Sequence, residues 1–152
     1  MPEKSAAAIW SGDLRKGYGE VSTPSGAVQR VPLSFTTRFE NVPGASPEEF
    51  LAAAHAGCYS MALADTLARR GHAPLQISTR STVSVEPQAG GWKITRSHLE
   101  VQAQVIDLDN DTFQETARLA EKACPVSNAL RGNVDIVLNA TLVPVPEREM
   151  AL

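Results

Sequence analysis

Ser46-Pro47-Glu48-Glu49-Phe50-Leu51-Ala52-Ala53-Ala54-His55-Ala56-Gly57-Cys58-Tyr59-Ser60-Met61-Ala62-Leu63-Ala64-Asp65-Thr66-Leu67-Ala68-Arg69-Arg70-Gly71 is the stretch on which the reading of this chain turns. It opens as a helix opens: Ser46 can cap, Pro47 suits the first helical position, and Glu49 stands where a capping box places its carboxylate. It closes as a helix closes, with Arg69 and Arg70 in the last turn and Gly71 as a stop. Between these ends, over 50–68, apolar residues occupy nearly every face. Such a helix expects cover all round, and a chain of 152 residues has difficulty supplying it. A second copy, related by a two-fold axis, is therefore expected to share the covering.

Outward from the helix the period changes. On the N-terminal side, short strands are expected at 8–11, 18–23 and 27–37, with Gly12-Asp13, Gly17 and Pro24-Ser25-Gly26 as turns. On the C-terminal side Ile77, Thr79, Ser81, Val83 and Val85 share one strand face. Gly90-Gly91 then turns into a second long strand, on which Leu99, Val101, Ala103 and Val105 alternate with polar residues. Asp109-Asn110-Asp111 starts a second helix running to about Lys122, with Phe113, Ala117, Leu119 and Ala120 inward. Cys124-Pro125 restarts a short helix over 126–130, Gly132-Asn133 ends it, and a closing strand follows at 134–143. The expectation is an α+β fold in one domain, 1–152, with a mobile tail from about 144.

Composition removes several functions. Fourteen basic residues against seventeen acidic ones give a net charge of −3, without the basic excess of a nucleic-acid partner. No run of 18 apolar residues exists to span a membrane, and Met1–Trp10 lacks a secretory pattern, so a cytosolic setting is expected. In that compartment the two cysteines are expected to be reduced, catalytic or redox-active rather than a fixed staple.

Cys58 lies mid-helix, in line with Leu51, Ala54, Met61 and Ala62; taken alone, it reads first as a small core hydrophobe. Cys124 precedes Pro125 at a helix N-cap, where free N–H groups and the dipole favour a thiolate; otherwise it is an ordinary junction residue. Their distance in sequence leaves a bridge open to geometry. His55 and Cys58, at i and i+3, are the one metal-like pair, short of the three or four ligands zinc takes. Arg38, in a strand-like stretch, and Glu48, in the helix's first turn, are each either solvated charges or a pair that sets a guanidinium beside a thiol. In the second case the guanidinium lowers the thiol's pKa and binds an oxygen leaving group.

Arg38-Phe39-Glu40, Ser46-Pro47-Glu48-Glu49, the segment from Ala53 to Leu63 and Ala123-Cys124-Pro125-Val126-Ser127 together resemble the OsmC family, as do Trp10-Ser11-Gly12-Asp13 and Gly19-Glu20-Val21-Ser22-Thr23. The resemblance runs from about residue 7 to 143. It implies antiparallel sheets wrapped around long central helices in an intertwined homodimer. It also implies a cytoplasmic stress-defence peroxidase that reduces organic hydroperoxides, and hydrogen peroxide less efficiently, with no cofactor. By matching positions, Cys58 is the peroxidatic cysteine, Cys124 the resolving one, and Arg38 with Glu48 the activating pair. In the hydroperoxide-resistance branch the charge comes from an earlier segment, here near Arg15 or Lys16. An external dithiol, at family level a lipoylated protein, is the implied reductant. Glu48 and Cys58 stand ten residues apart, about 15 Å along a helix, so they are not neighbours within one straight helix. A site at the dimer interface, borrowing groups from both chains, is the resulting expectation. The alternative is a non-catalytic module whose apolar cavity holds a ligand while the cysteines pack.

Overall fold

A computed structural model describes residues 1–150, which divide at Phe50, inside the long helix, into two compact units. The first unit holds β1 (Ala7–Ser11), β2 (Tyr18–Ser22) and β3 (Val31–Leu33), antiparallel in that order, followed by α1 (Phe35–Phe39) and the start of α2 (Pro47–Arg69). The expected strand over 27–37 shrinks to three residues. Arg30 takes a positive φ of 48°, and Ser34 turns the chain into α1 through a reciprocal cap with Thr37. Arg38 is thus helical rather than strand-like: a Ser-x-x-Thr cap overrides the local alternation of apolar residues. Across β1 and β2, Trp10 faces Gly19, and its indole N–H donates to the Gly12 carbonyl at 3.0 Å. A Cβ at Gly19 would lie 2.6 Å from both the Ile9 carbonyl oxygen and the Trp10 ring. Gly19→Ala is therefore expected to destabilise the protein by about 1–3 kcal/mol, read from urea unfolding; unchanged stability would show that the ring and strand give way freely.

In the second unit α2 ends as its composition implies. Gly71 takes φ +85°, the Gly71 N–H bonds the Ala68 carbonyl, and the His72 N–H bonds that of Leu67, a Schellman stop. Then come β4 (Gln76–Gln88) and β5 (Gly91–Gln104), a long antiparallel hairpin with a register shift at Ser84/Val85. β6 (Asp135–Leu142) lies beside β5 and runs parallel to it, so this sheet is mixed rather than antiparallel throughout. The cause is the connection: α3 (Asn110–Ala123) and α4 (Pro125–Leu130) form the crossover that a parallel neighbour requires. A last turn, α5 (Glu147–Met150), lies in the segment expected to be mobile, whose final residues, 151–152, are outside the described ones.

The core of this unit lies between sheet and helices. Tyr59, Leu63 and Leu67 from α2 meet Leu99, Val101 and Ala103 from β5 and Phe113, Ala117 and Ala120 from α3. Thr116 completes the inner side of α3, whereas Leu119, expected inward, is 40% exposed. At 3.6 residues per turn Leu119 points about 120° away from the stripe that Phe113, Ala117 and Ala120 define. On α2 the covered residues recur every fourth position: His55, Tyr59, Leu63, Leu67. Ala53, Ala54, Gly57 and Met61 remain exposed, Met61 at 76%.

Candidate active site

Each unit presents one half of the residue set expected to do chemistry. In the first, the reciprocal cap fixes α1 and aims Arg38 at the first turn of α2. Its Nε donates to Glu48 Oε1 at 3.1 Å and Oε2 at 3.3 Å, and its Nη2 donates to Oε1 at 2.9 Å. This fork fixes the guanidinium plane in a way that a lysine does not reproduce. The Glu48 side chain is only 7% exposed and Arg38 35%, so the carboxylate is spent on the arginine and the helix N-terminus while the cation keeps an open side. Arg38 also stacks on Phe39 at 4.9 Å. A cavity of about 330 Å³ adjoins it, walled by Trp10, Leu14, Leu33, Phe35 and Pro47 with the Ser34 and Arg38 side chains at its border. Arg15 does not join Glu48; its guanidinium lies over the Phe35 ring at 4.7 Å.

The second unit brings Cys58 and Cys124 together as free thiols, Cys58 packed against the core cluster that holds Cys124 and close enough for each to act on the other's charge. Cys58, on α2, is half-buried, and Cys124 is fully buried. Cys124 does occupy the N-cap of α4, but its thiol makes no capping bond. The backbone N–H of Val126, one of the free donors of α4, is aimed at the Cys58 sulfur. The helix end expected to favour a thiolate at Cys124 thus serves Cys58. Burial nevertheless dominates and raises the Cys58 pKa; Val126 pulls it down, and Cys124 pushes it up again. These neighbours alone leave the proton on.

One group escaped the sequence reading except as half of a metal pair. His55 is fully buried, with Nδ1 at 2.6 Å from Ser97 Oγ of β5 and Nε2 at 2.8 Å from Ser127 Oγ of α4. Both ring nitrogens are thus engaged by serine hydroxyls. Among the described residues no group of three His, Cys, Asp or Glu is placed to hold a metal. Ser127 lies within the Cys124-Pro125-Val126-Ser127 segment, but nothing around Ser97 announces its role. Nearby, Arg131 pairs with Glu121 at 2.9 Å and donates to the Glu121 carbonyl and to Asn128, tying the end of α3 to α4 across the Cys124 break.

Burial lowers the His55 pKa from its ordinary 6.5, against a smaller opposing pull from the Glu121 charge. The unfolded chain therefore binds a proton that the folded one refuses between the two values. This contribution to stability is complete above 6.5 and is lost as pH falls through the folded value. Urea unfolding between neutral pH and mild acid is expected to show a stability loss that shrinks in His55→Gln; identical pH profiles would remove His55 as its source.

Two thiols in contact, one of them facing a helix N-terminus, on an α+β scaffold define a dithiol protein. The model of the family described as OsmC-like protein matches residues 39–139, and the chain belongs to this family. It is 39% identical to Peroxiredoxin OsmC of Escherichia coli (strain K12) over 133 residues, covering 88% of this chain and 93% of the relative. It is 29% identical to the organic hydroperoxide resistance protein OhrB of Bacillus subtilis (strain 168) over 122 residues, 79% of this chain and 87% of OhrB. The OhrB crystal structure superposes at a TM-score of 0.69 and 25% identity, over 90% of this chain and 98% of its own. An organic hydroperoxide resistance protein from Elizabethkingia anophelis superposes at 0.71 over 93% and 99%, and at 21% identity this likeness speaks for the fold.

Proposed function

We propose that the protein is a cysteine-based peroxidase that reduces organic hydroperoxides to alcohols, and hydrogen peroxide less efficiently, in cytosolic defence against oxidative and osmotic stress. The observation that carries this reading is the Cys58–Cys124 contact with the Val126 N–H on Cys58, in a chain whose relatives are named peroxiredoxin and organic hydroperoxide resistance protein.

In the first step the Cys58 thiolate attacks the distal peroxide oxygen; the O–O bond breaks, the alkoxide takes a proton and leaves as alcohol, and Cys58 becomes a sulfenic acid. Since burial holds the proton on Cys58, the compensating charge is assigned to Arg38, from the same chain or from a second copy. The guanidinium stabilises both the thiolate and the charge developing on the departing oxygen, and Glu48 orients it. The apolar cavity beside Arg38 suits the alkyl portion of the substrate, which hydrogen peroxide lacks. In the second step the Cys124 sulfur attacks the sulfenic sulfur, the S–O bond breaks, and hydroxide leaves with the thiol proton as water. The resulting disulfide returns to two thiols through an external dithiol, such as a lipoylated protein.

The exposed Ala53, Ala54, Gly57 and Met61 stripe of α2 supports a homodimer, since small residues let another helix approach closely. Sedimentation is expected to give a dimer, and a stable monomer with full activity would contradict a shared site. For the activity itself, reduced protein is mixed with cumene hydroperoxide and its free thiols are titrated. Loss of two thiols per chain, abolished by Cys58→Ser, is expected. Unchanged thiols would favour the alternative, a module that binds an apolar ligand without chemistry.

A further inference from the structure

The chemistry above leaves His55 unused, although it is one of the most completely enclosed polar groups of the chain. We propose that His55 is a positioning residue for disulfide formation: through Ser127 it holds α4, and with it Cys124, where its sulfur can reach the oxidised Cys58. This rests on the peroxidase reading and adds a residue to its second step.

The placement carries the inference. His55 stands one helical turn before Cys58 on α2, and Ser127 one turn after Cys124 at the head of α4. The 2.8 Å bond between Nε2 and Ser127 Oγ therefore runs beside the thiol pair and joins the same two helices. On its other side the ring is anchored by the 2.6 Å bond to Ser97 Oγ on β5, which approaches Ser81 Oγ on β4 at 3.1 Å. One imidazole thus ties α4 to α2 and both to the sheet. A six-residue helix has few bonds of its own to fix it, and the ion pair of Arg131 with Glu121 holds only its far end, at the C-cap. Either neutral tautomer serves, because a serine hydroxyl donates or accepts as required. A ring with no freedom to turn suits a reaction whose rate depends on placing one sulfur against another.

The second step competes with over-oxidation. A sulfenic Cys58 either loses its hydroxyl to Cys124 as the S–S bond forms, or takes an oxygen from a further hydroperoxide and becomes sulfinic. The peroxide concentration at which half of the chains become sulfinic reads this competition directly, whatever the rate of the first step. In Ser127→Ala, which removes the tie but keeps the imidazole and its bond to Ser97, that concentration is expected to fall between about 10- and 100-fold, the range that displacement of a reacting group produces. Ser97→Ala, which loses a buried hydroxyl of the same kind but leaves α4 tied, serves as the comparison and is expected to shift it less. His55→Leu is expected to match Ser127→Ala. Mass spectrometry of the full-length protein after a peroxide series reads all three, with melting temperatures alongside. An unchanged midpoint in Ser127→Ala, or equal shifts in Ser97→Ala and Ser127→Ala that follow only their melting temperatures, would overturn the positioning role. Failure of wild type to form sulfenic acid or disulfide at all would instead overturn the peroxidase reading.

Discussion

Arg38→Ala is expected to slow oxidation of Cys58 by cumene hydroperoxide about 10²- to 10³-fold, the range lost when a donor to a developing oxyanion is removed. Two effects combine. The thiolate loses the charge that offsets its burial, and the departing alkoxide loses its fixed N–H donors. Arg38→Lys is expected to recover only part of the rate, since a point charge does not hold the side-on fork that Nε and Nη2 make with Glu48. The substitution also leaves the nearly buried Glu48 carboxylate without its partner, at a stability loss of about 1–3 kcal/mol. That loss must be separated from the kinetic one. Arg38→Ala combined with Glu48→Gln relieves the unpaired charge and is expected to regain stability but not rate. If wild-type rates survive in Arg38→Ala, the arginine leaves the mechanism and Arg15 or Lys16 becomes the candidate. The position of Arg15 over Phe35, at the wall of the apolar cavity, makes it the first of the two to examine.

The second large effect concerns Cys124. Cys124→Ser is expected to keep the first oxidation near the wild-type rate, because Val126, not Cys124, supplies the helix donor to Cys58. Turnover with a dithiol should then fall by at least about 10²-fold, as a hydroxyl at that position cannot displace the sulfenic oxygen by disulfide formation. Sulfinic Cys58 accumulates in its place. Stopped-flow oxidation and steady-state turnover measured on one preparation check both halves. Sustained turnover in Cys124→Ser would mean that the external reductant attacks the sulfenic acid itself, making Cys124 a bystander in a core.

Much of this architecture was legible because local signals were strong and agreed with one another. Ser46-Pro47 at the start of α2, Gly71 at its end, Gly90-Gly91 in the hairpin and Asp109 before α3 each act through backbone chemistry, and each does so in the structure. Residues 31–33 are strand as expected, but 34–37 are not: Val31, Leu33 and Phe35 alternate like one continuous strand, while the Ser34–Thr37 cap that ends it is a subtler signal. The direction of β6 was not legible, since a strand's pattern is the same whether its neighbour runs parallel or antiparallel. In the site, Cys58, Cys124, Arg38 and Glu48 came from paired motifs rather than periodicity. Which thiol the α4 donor would face was beyond composition. A helix start marks where N–H groups are free, and only the packing of α2 against α4 decides that Val126 faces Cys58. The His55 network needed the fold as well, because Ser97 and Ser127 lie 42 and 72 positions from it.

The ionisation of Cys58 tests the central claim most directly. Thiolate absorbance in the ultraviolet, followed against pH in Cys124→Ser so that one thiol is read, is compared between Arg38 and Arg38→Ala backgrounds. The expected result is a Cys58 already ionised at neutral pH with Arg38 present and protonated there without it, as its burial alone dictates. A Cys58 that keeps its proton at neutral pH in both backgrounds would contradict the activation described here.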